Sequence, residues 1–152
     1  MDWDIKMMQK FLGLVGLFIL SNIANAADPL HGTKWKTVDD KLQKAISVVQ
    51  FNETSDGVLS AKIIQILVPE DVAKCVSCSG KFQNKPLQGA QIVTGLKNKG
   101  KNKYEDGKII DPKNGKTYSF DAQLAPDGRT LSGRGYIGIS ALGRDQTWLR
   151  VN

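Results

Sequence analysis

Apolar and polar residues alternate along most of the chain after residue 30, with the two-residue period of a β-strand. The clearest alternation covers residues 117–124, where Tyr118, Phe120, Ala122 and Leu124 share one face and polar residues occupy the other. No segment after residue 30 keeps a helical period over several turns. The pattern therefore predicts an all-β domain in which one face of each strand is directed inward.

Turn-forming residues separate the alternating segments, as at Asp56-Gly57 and at the Pro-Asp-Gly sequence of residues 126–128. At most one helical turn is expected, at residues 69–74. Because about eight short strands are joined mostly by local turns, we expect a single up-and-down antiparallel barrel, whose closure removes exposed sheet edges. A flat sandwich is the alternative. The predicted strands cover residues 33–38, 45–51, 58–67, 90–94, 103–110, 117–124, 131–138 and 146–151.

The amino-terminal residues have a different pattern. Lys10 precedes an uncharged, apolar run at residues 11–20, and Ala24-Asn25-Ala26 follows. This order is typical of a secretory signal peptide, and the run is shorter than the roughly 20 apolar residues of a membrane-spanning helix. We therefore expect a cleaved signal peptide at residues 1–26 and a periplasmic or secreted β-barrel at residues 27–152, with no transmembrane segment in the mature protein.

The chain carries a formal net charge of +6, and the charges within residues 1–26 cancel. A basic exported domain favours anionic envelope components as partners, such as lipid head groups or acidic polysaccharide. A basic domain without an anionic partner is the alternative. The densest basic segment, residues 97–103, has four lysines and no aromatic ring for base stacking, so nucleic acid is not a predicted partner. We expect this segment to be a hydrated, mobile loop because like charges repel.

Cys75 and Cys78 are the two cysteines of the chain. In an oxidising compartment the default for such a pair is a structural disulfide. A redox-active pair stays open as an alternative, although it usually needs a thiolate at the start of a helix, and no helix is evident here. Metal binding also stays open, but the pair and His31 supply at most three ligands where a structural zinc site needs four, so we name no metal site.

Candidates for catalysis are few. His31, the single histidine, stands close to the predicted mature terminus, where we expect an exposed and mobile side chain. The nucleophile motif G-x-S-x-G does not occur in the sequence. Asp39 and Asp40 are adjacent, so on a strand they would point to opposite faces; they are interpreted as turn acids, with a cation site as the alternative. The sequence indicates no catalytic residue and no cofactor.

Trp35 on the first predicted strand and Arg150 on the last are candidates for closing one end of the barrel. Closure makes these strands neighbours, so the guanidinium can lie over the indole in a cation–π contact of about 0.5–2 kcal/mol. Gly32 precedes Trp35 with two residues between them. A Gly-then-Trp opening with a closing Arg resembles the lipocalin and calycin signature, in which one residue separates Gly from Trp.

Longer motifs carry a second resemblance. The closing segment from Arg134 to Arg150, together with residues 74–80, 86–89 and 109–118, is similar to the exported bacterial family catalogued as domain of unknown function 2147. The resemblance extends from Gly32 to Val151. It implies a calycin-like barrel in the bacterial envelope or secreted space, and it implies no catalytic residue, cofactor or ligand.

An eight-stranded barrel has an interior that side chains can fill or that can hold one small ligand. The leading functional hypothesis is therefore the binding of a small apolar molecule, and a packed barrel without a ligand is the alternative. Two further hypotheses are an envelope interaction module that uses the basic surface and a redox protein that uses the cysteine pair. The candidate ligand-binding residues are Tyr118, Phe120, Arg134, Tyr136 and Trp148.

We expect the mature protein to begin at Ala27 and to appear in the periplasmic or secreted fraction, because the apolar run is short and ends in Ala-x-Ala. Acidic residues stand near the start, where a signal peptide is usually basic, so Met1, Met7 and Met8 all stay open as the first residue. Amino-terminal sequencing of the exported protein checks this prediction. An intact leader on membrane-embedded protein would contradict it.

Overall fold

A computed structural model describes residues 26–69, 74–76 and 78–152. The predicted signal peptide, except for Ala26, and most of the predicted helical turn at residues 69–74 lie outside these residues. The described residues form a closed barrel of eight antiparallel strands, which confirms the predicted fold class. The strands are β1 (Lys34–Asp39), β2 (Lys44–Glu53), β3 (Val58–Ile66), β4 (Gln91–Gly100), β5 (Lys103–Ile110), β6 (Thr117–Leu124), β7 (Thr130–Tyr136) and β8 (Arg144–Val151).

Each strand pairs with the next one along the chain, and β8 pairs with β1. In this last pairing Trp35 lies opposite Arg150 and Lys34 lies opposite Val151. Closure leaves no strand with an unpaired edge, which explains why a sheet of short strands is stable without a second layer. The described residues contain only short 3₁₀ turns besides the strands, and none of their helical segments is long and apolar enough to span a bilayer.

The lysine-rich segment 97–103 is not the mobile loop that we expected from its charge. Strand β4 continues to Gly100, a turn at Lys101 and Asn102 with φ of 52° and 60° follows, and β5 begins at Lys103. The like charges are tolerated because β5 supplies opposite charges: Glu105 lies across from Lys97, and Lys99 forms a 2.7 Å ion pair with Asp106 on that strand. The prediction of a mobile loop was therefore wrong, because it considered repulsion within the segment and not the attraction between β4 lysines and acidic residues of β5.

Strand direction divides the connections between the two ends of the barrel. The connections after β1, β3, β5 and β7 gather at one end, which we call the mouth. The amino-terminal residues 26–33 and the turns after β2, β4 and β6 gather at the other end, which we call the base. The mouth connections are residues 40–43, 67–90, 111–116 and 137–143.

The base is closed by residues just before β1 and at the start of that strand. Leu30 and Trp35 are fully buried, and the Trp35 indole Nε1 donates to Thr33 Oγ1 at 2.7 Å. The guanidinium carbon of Arg150 lies 5.8 Å from the centroid of the Trp35 ring, and its Nη1 donates to the carbonyl oxygen of Gly128 at 3.2 Å. The Arg150 side chain thus covers the indole and ties it to the β6–β7 turn.

Aromatic rings fill the middle of the barrel. The rings of Phe120 and Trp148 stack with centroids 5.8 Å apart, and Phe51 lies 6.1 Å from Trp148 on the other side. Gly133 makes this packing possible, because a Cβ at that position would lie 2.6 Å from Cε2 of Phe120. Further buried core residues, Leu30 and Trp35 among them, lie below these rings, so the rings form a floor above a filled base.

We expect Arg150→Lys to lower the free energy of unfolding by about 1 kcal/mol, because an ammonium group cannot lie flat over the indole as a guanidinium does. Urea unfolding measures the change. Arg129→Lys is the matched control, since Arg129 is an exposed arginine in the β6–β7 turn of the same end. Equal effects of the two substitutions would show that the contact with Trp35 does not stabilise the barrel.

Candidate functional site

A cavity of about 710 Å³ lies between the aromatic floor and the mouth. The rings of Phe120 and Trp148 face it from below. Aliphatic side chains are the largest group in its wall, which makes the interior mainly apolar. The wall side chains on β2 to β5 include Ile46, Ile63, Ile66, Ile92 and Ile109.

The barrel is hollow here because its inward positions near the mouth carry small side chains on several strands. Gly133 and Gly135 line the cavity from β7, so neither fills the space beside the floor. Thr37 on β1 and Ser47 on β2 are buried, and their hydroxyl oxygens are 2.6 Å apart in a hydrogen bond. The two hydroxyl groups satisfy each other, so they add little polarity to the wall.

An ion pair crosses the mouth. Asp39 ends β1, and its side chain is 2% exposed; it accepts hydrogen bonds from the backbone N–H groups of Lys41 and Leu42, both at 2.9 Å. Its other oxygen pairs with Nζ of Lys113, which belongs to the connection between β5 and β6. In the closed order of eight strands, β5 lies opposite β1. The pair between Asp39 and Lys113 therefore joins opposite sides of the opening.

The surroundings of Asp39 favour its charged form. The hydrogen bond from Lys113 is the main cause, with the backbone N–H of Leu42 next, and together they lower the pKa of Asp39 from 3.8 to about 2. Burial opposes this change but does not outweigh it. The carboxylate is therefore ionised at any physiological pH.

A second ion pair holds the β1–β2 turn against β8. Arg144 Nε donates to an Asp40 carboxylate oxygen at 2.9 Å, and its Nη2 donates to the other. The arginine lowers the pKa of Asp40, chiefly through this hydrogen bonding. Both side chains line the mouth side of the cavity. Asp39 and Asp40 thus act as turn acids, as the sequence analysis expects, and each has a basic partner.

Three of the predicted ligand-binding residues come together in the cavity. Tyr118, Phe120 and Trp148 all line it. Phe120 and Trp148 are almost completely buried, whereas Tyr118 is partly exposed nearer the mouth. These three residues belong to β6 and β8, which flank β7.

The other two predicted ligand-binding residues lie on the outer face of the barrel. Arg134 and Tyr136 alternate with the glycines of β7, and because those glycines face inward, their neighbours face outward. The prediction that Arg134 and Tyr136 line the interior is therefore wrong, because both residues occupy the outward positions of β7. Arg134 instead donates from Nη1 to Asp145 and from Nε to the carbonyl oxygen of Ser140, both at 2.6 Å. It braces the β7–β8 connection.

The cysteine pair lies at the mouth. Cys75 and Cys78 are at disulfide distance, with Cα atoms 5.3 Å apart, and both are buried. Gly115 in the β5–β6 connection packs directly on the pair, since a Cβ there would lie 2.8 Å from Sγ of Cys78. The disulfide lies within the long β3–β4 connection, and the β5–β6 connection packs against it at the mouth.

His31 lies at the base, so it does not meet the cysteines. Its Nδ1 accepts a hydrogen bond from the backbone N–H of Glu53 at 3.0 Å. His31 and the two cysteines are therefore too far apart to share a metal ion, and that alternative is wrong. Among the described residues, no group of three or more His, Cys, Asp or Glu side chains is arranged to hold a metal ion.

Sequence reasoning did not find the mouth ion pair or the aliphatic wall. Asp39 and Lys113 are 74 residues apart, and nothing local indicates that a turn lysine reaches a strand end on the opposite side. One signal was present at Gly135. A glycine on the inward face of a strand leaves space beside it, and Gly135 lines the cavity from β7.

We expect Asp39→Asn to lower the free energy of unfolding at neutral pH by about 1–2 kcal/mol, because a folded-state pKa below the ordinary value records stabilisation of the charged form. Since the pKa is lowered from 3.8 to about 2, this stabilisation is complete above pH 4 and is lost as the pH falls toward 2. Urea unfolding of both proteins at pH 7, 4 and 2 should show the difference shrinking.

Lys113→Met should reproduce part of the effect of Asp39→Asn at neutral pH, because it removes the same ion pair. Lys116→Met is the matched control, since Lys116 is an exposed lysine in the same connection. A loss of stability that does not depend on pH, or an equal loss in Lys116→Met, would contradict the assignment.

The fold and the sequence both match known proteins. Residues 33–150 match the family described as "Uncharacterized protein conserved in bacteria (DUF2147)". The chain is also similar to a solved structure described as "Protein HP1028 from the human pathogen Helicobacter pylori belongs to the lipocalin family", with 25% identity over 84% of this chain and 85% of that chain, and a TM-score of 0.69. The sequence matches no curated protein at a significant level.

The family match covers all eight strands except the last residue of β8. It confirms the resemblance seen in the motifs between Gly32 and Val151, and the similar structure supports a lipocalin-like fold. The chain therefore belongs to the bacterial family DUF2147 and has a lipocalin-like barrel.

Proposed function

We propose that the protein binds one small, largely apolar molecule inside its barrel. The observation that carries this proposal is the cavity of about 710 Å³ above the aromatic floor. Pockets for small molecules span roughly 300–1,000 Å³ and are lined mainly by apolar side chains. The cavity has both properties, and the similarity to a protein described as a lipocalin supports a binding function.

The distribution of polarity supports one orientation of the ligand. The floor of Phe120 and Trp148 and the isoleucines of the wall offer only apolar contacts, so a charged group placed there would lose its hydration without a partner. Lys41, Lys74 and Lys113 contribute charged groups at the mouth. A molecule with an apolar body toward the floor and a polar end toward the mouth fits this arrangement.

Binding is a better-supported proposal than redox catalysis. Thiol–disulfide exchange requires attack on an accessible sulfur, whereas Cys75 and Cys78 are 1% and 4% exposed. The single histidine, His31, lies at the closed end of the barrel, so it cannot accept a proton from a molecule inside the cavity. We propose that the disulfide stabilises the mouth, and that the protein acts in the periplasm or after secretion, as its leader predicts.

Gly135→Leu tests the proposal by filling the cavity. A Cβ at residue 135 would lie 3.7 Å from Ile109 and 3.8 Å from Tyr118, which is ordinary contact, so the Cβ fits and the rest of the leucine side chain occupies space in the cavity that Gly135 lines. We expect the affinity for a fluorescent fatty acid such as cis-parinaric acid to fall about tenfold or more, because a leucine removes contact area worth about 1.5–3 kcal/mol.

Ser132→Leu is the matched control, since Ser132 is exposed on the outer face of the same strand. It should bind the fatty acid as the wild type does. Native mass spectrometry of gently purified protein should also reveal a bound species that Gly135→Leu lacks. Equal affinity of the two leucine variants, or no binding by the wild type, would refute carriage in the cavity.

A further inference from the structure

Large apolar side chains that are exposed gather at the mouth. Leu149 is exposed on the outer wall of the barrel, and the others in the described residues belong to three of the four mouth connections. We call these others the apolar rim. The rim consists of Leu42, Leu67, Val76, Ile137, Ile139 and Leu142, which are between 39% and 78% exposed.

Such a distribution differs from ordinary surface exposure. Single apolar side chains are common on protein surfaces, whereas a group of them at one site marks an interaction surface. Leu142 is 78% exposed, and Ile137 and Ile139 in the same connection are 66% and 63% exposed. In the described part of the chain, no large apolar residue of the base is exposed in this way.

Basic residues surround the rim. We use the name mouth lysines for exposed lysines of this end that form no ion pair within the described residues. Among the described residues, Asp39, Asp40 and Asp145 each form an ion pair with a basic residue other than these lysines, so they do not neutralise the mouth lysines. The mouth lysines are Lys41, Lys44, Lys74, Lys85 and Lys116.

We propose that the apolar rim docks on an anionic lipid bilayer, with the mouth of the barrel facing the lipids. Aliphatic side chains enter the boundary between head groups and acyl chains, and surrounding lysines attract anionic head groups; the two contributions add. The rim and the mouth lysines provide this combination on one end of the molecule. The proposal does not require the cavity to hold a ligand.

The composition favours lipid over a protein partner. The centres of protein interfaces are enriched in aromatic residues and Arg and depleted in Lys, whereas the rim is aliphatic and its charged neighbours are mainly lysines. A second copy of the chain is also a poor partner, since two mouths brought together would place like charges opposite each other. Anionic lipid is the partner whose charge complements the lysines.

Vesicle sedimentation tests the proposal. Purified protein should bind vesicles of phosphatidylethanolamine and anionic phosphatidylglycerol. Its affinity for vesicles of phosphatidylcholine alone should be lower. The triple variant Ile137→Ser, Ile139→Ser and Leu142→Ser should bind these vesicles at least about tenfold more weakly, because it reduces the apolar area that enters the bilayer. Leu149→Ser is the matched control, since Leu149 is exposed on the barrel wall, and it should bind as the wild type does.

A second set of variants tests the charges. Each of Lys41→Gln and Lys116→Gln should weaken binding to the anionic vesicles about fivefold, and the loss should disappear in high salt. Lys101→Gln and Lys103→Gln at the base are the controls, because these lysines are exposed at the opposite end. They should leave binding unchanged.

Three outcomes would overturn the proposal: equal binding of the rim triple variant and Leu149→Ser, equal effects of mouth and base lysines, or a dimer in light scattering that the triple variant abolishes. All variants share the amino terminus of the wild type, so a retained leader would bind vesicles equally in each. Unfolding curves confirm that each variant is folded. Gly135→Leu, which fills the cavity, should still bind vesicles, so the docking and the cavity proposals fail independently.

Discussion

The pairing of β8 with β1 is the interaction on which the other features of this protein depend. It converts a meander of short strands into a barrel without edges, and it brings Arg150 over Trp35 to close the base. Closure also arranges the strands in a ring, so that the connections after β1, β3, β5 and β7 meet around one mouth. The filled base, the cavity and the rim are therefore consequences of one pairing, which joins the two termini of the domain.

The size of the inward-facing side chains changes from the base to the mouth, and this change determines where the barrel is hollow. The large rings lie in its lower half, where Gly133 gives the Phe120 ring its place, and small or aliphatic residues line the upper half. The interior of an eight-stranded barrel is just wide enough to be filled by side chains or to hold one small molecule. The aromatic layer therefore serves both as part of the stabilising core and as the floor of the cavity, and a single glycine connects these two roles.

The fold was predictable because it rests on local signals. Alternation and turn residues located eight strands, and the pairing of Trp35 with Arg150 needed only the assumption of closure. The lysine segment was mispredicted because its neutralising acids belong to another strand. The phase of β7 was mispredicted for Arg134 and Tyr136, although the inward glycines beside them carried that information. The ion pair across the mouth depends on strands on opposite sides, which no local pattern reports.

The pair between Asp39 and Lys113 has a kinetic consequence. For the small molecule that we propose the barrel binds, a pair that closes again after entry contributes equally to the empty and the loaded barrel, so its energy cancels from the dissociation constant. A molecule that passes between its two sides must separate the charges, so the pair adds to the activation barrier in both directions. Because the lysine side of the pair is 57% exposed, salt weakens it. For the proposed ligand, ionic strength would therefore change the residence time in the barrel without changing the affinity.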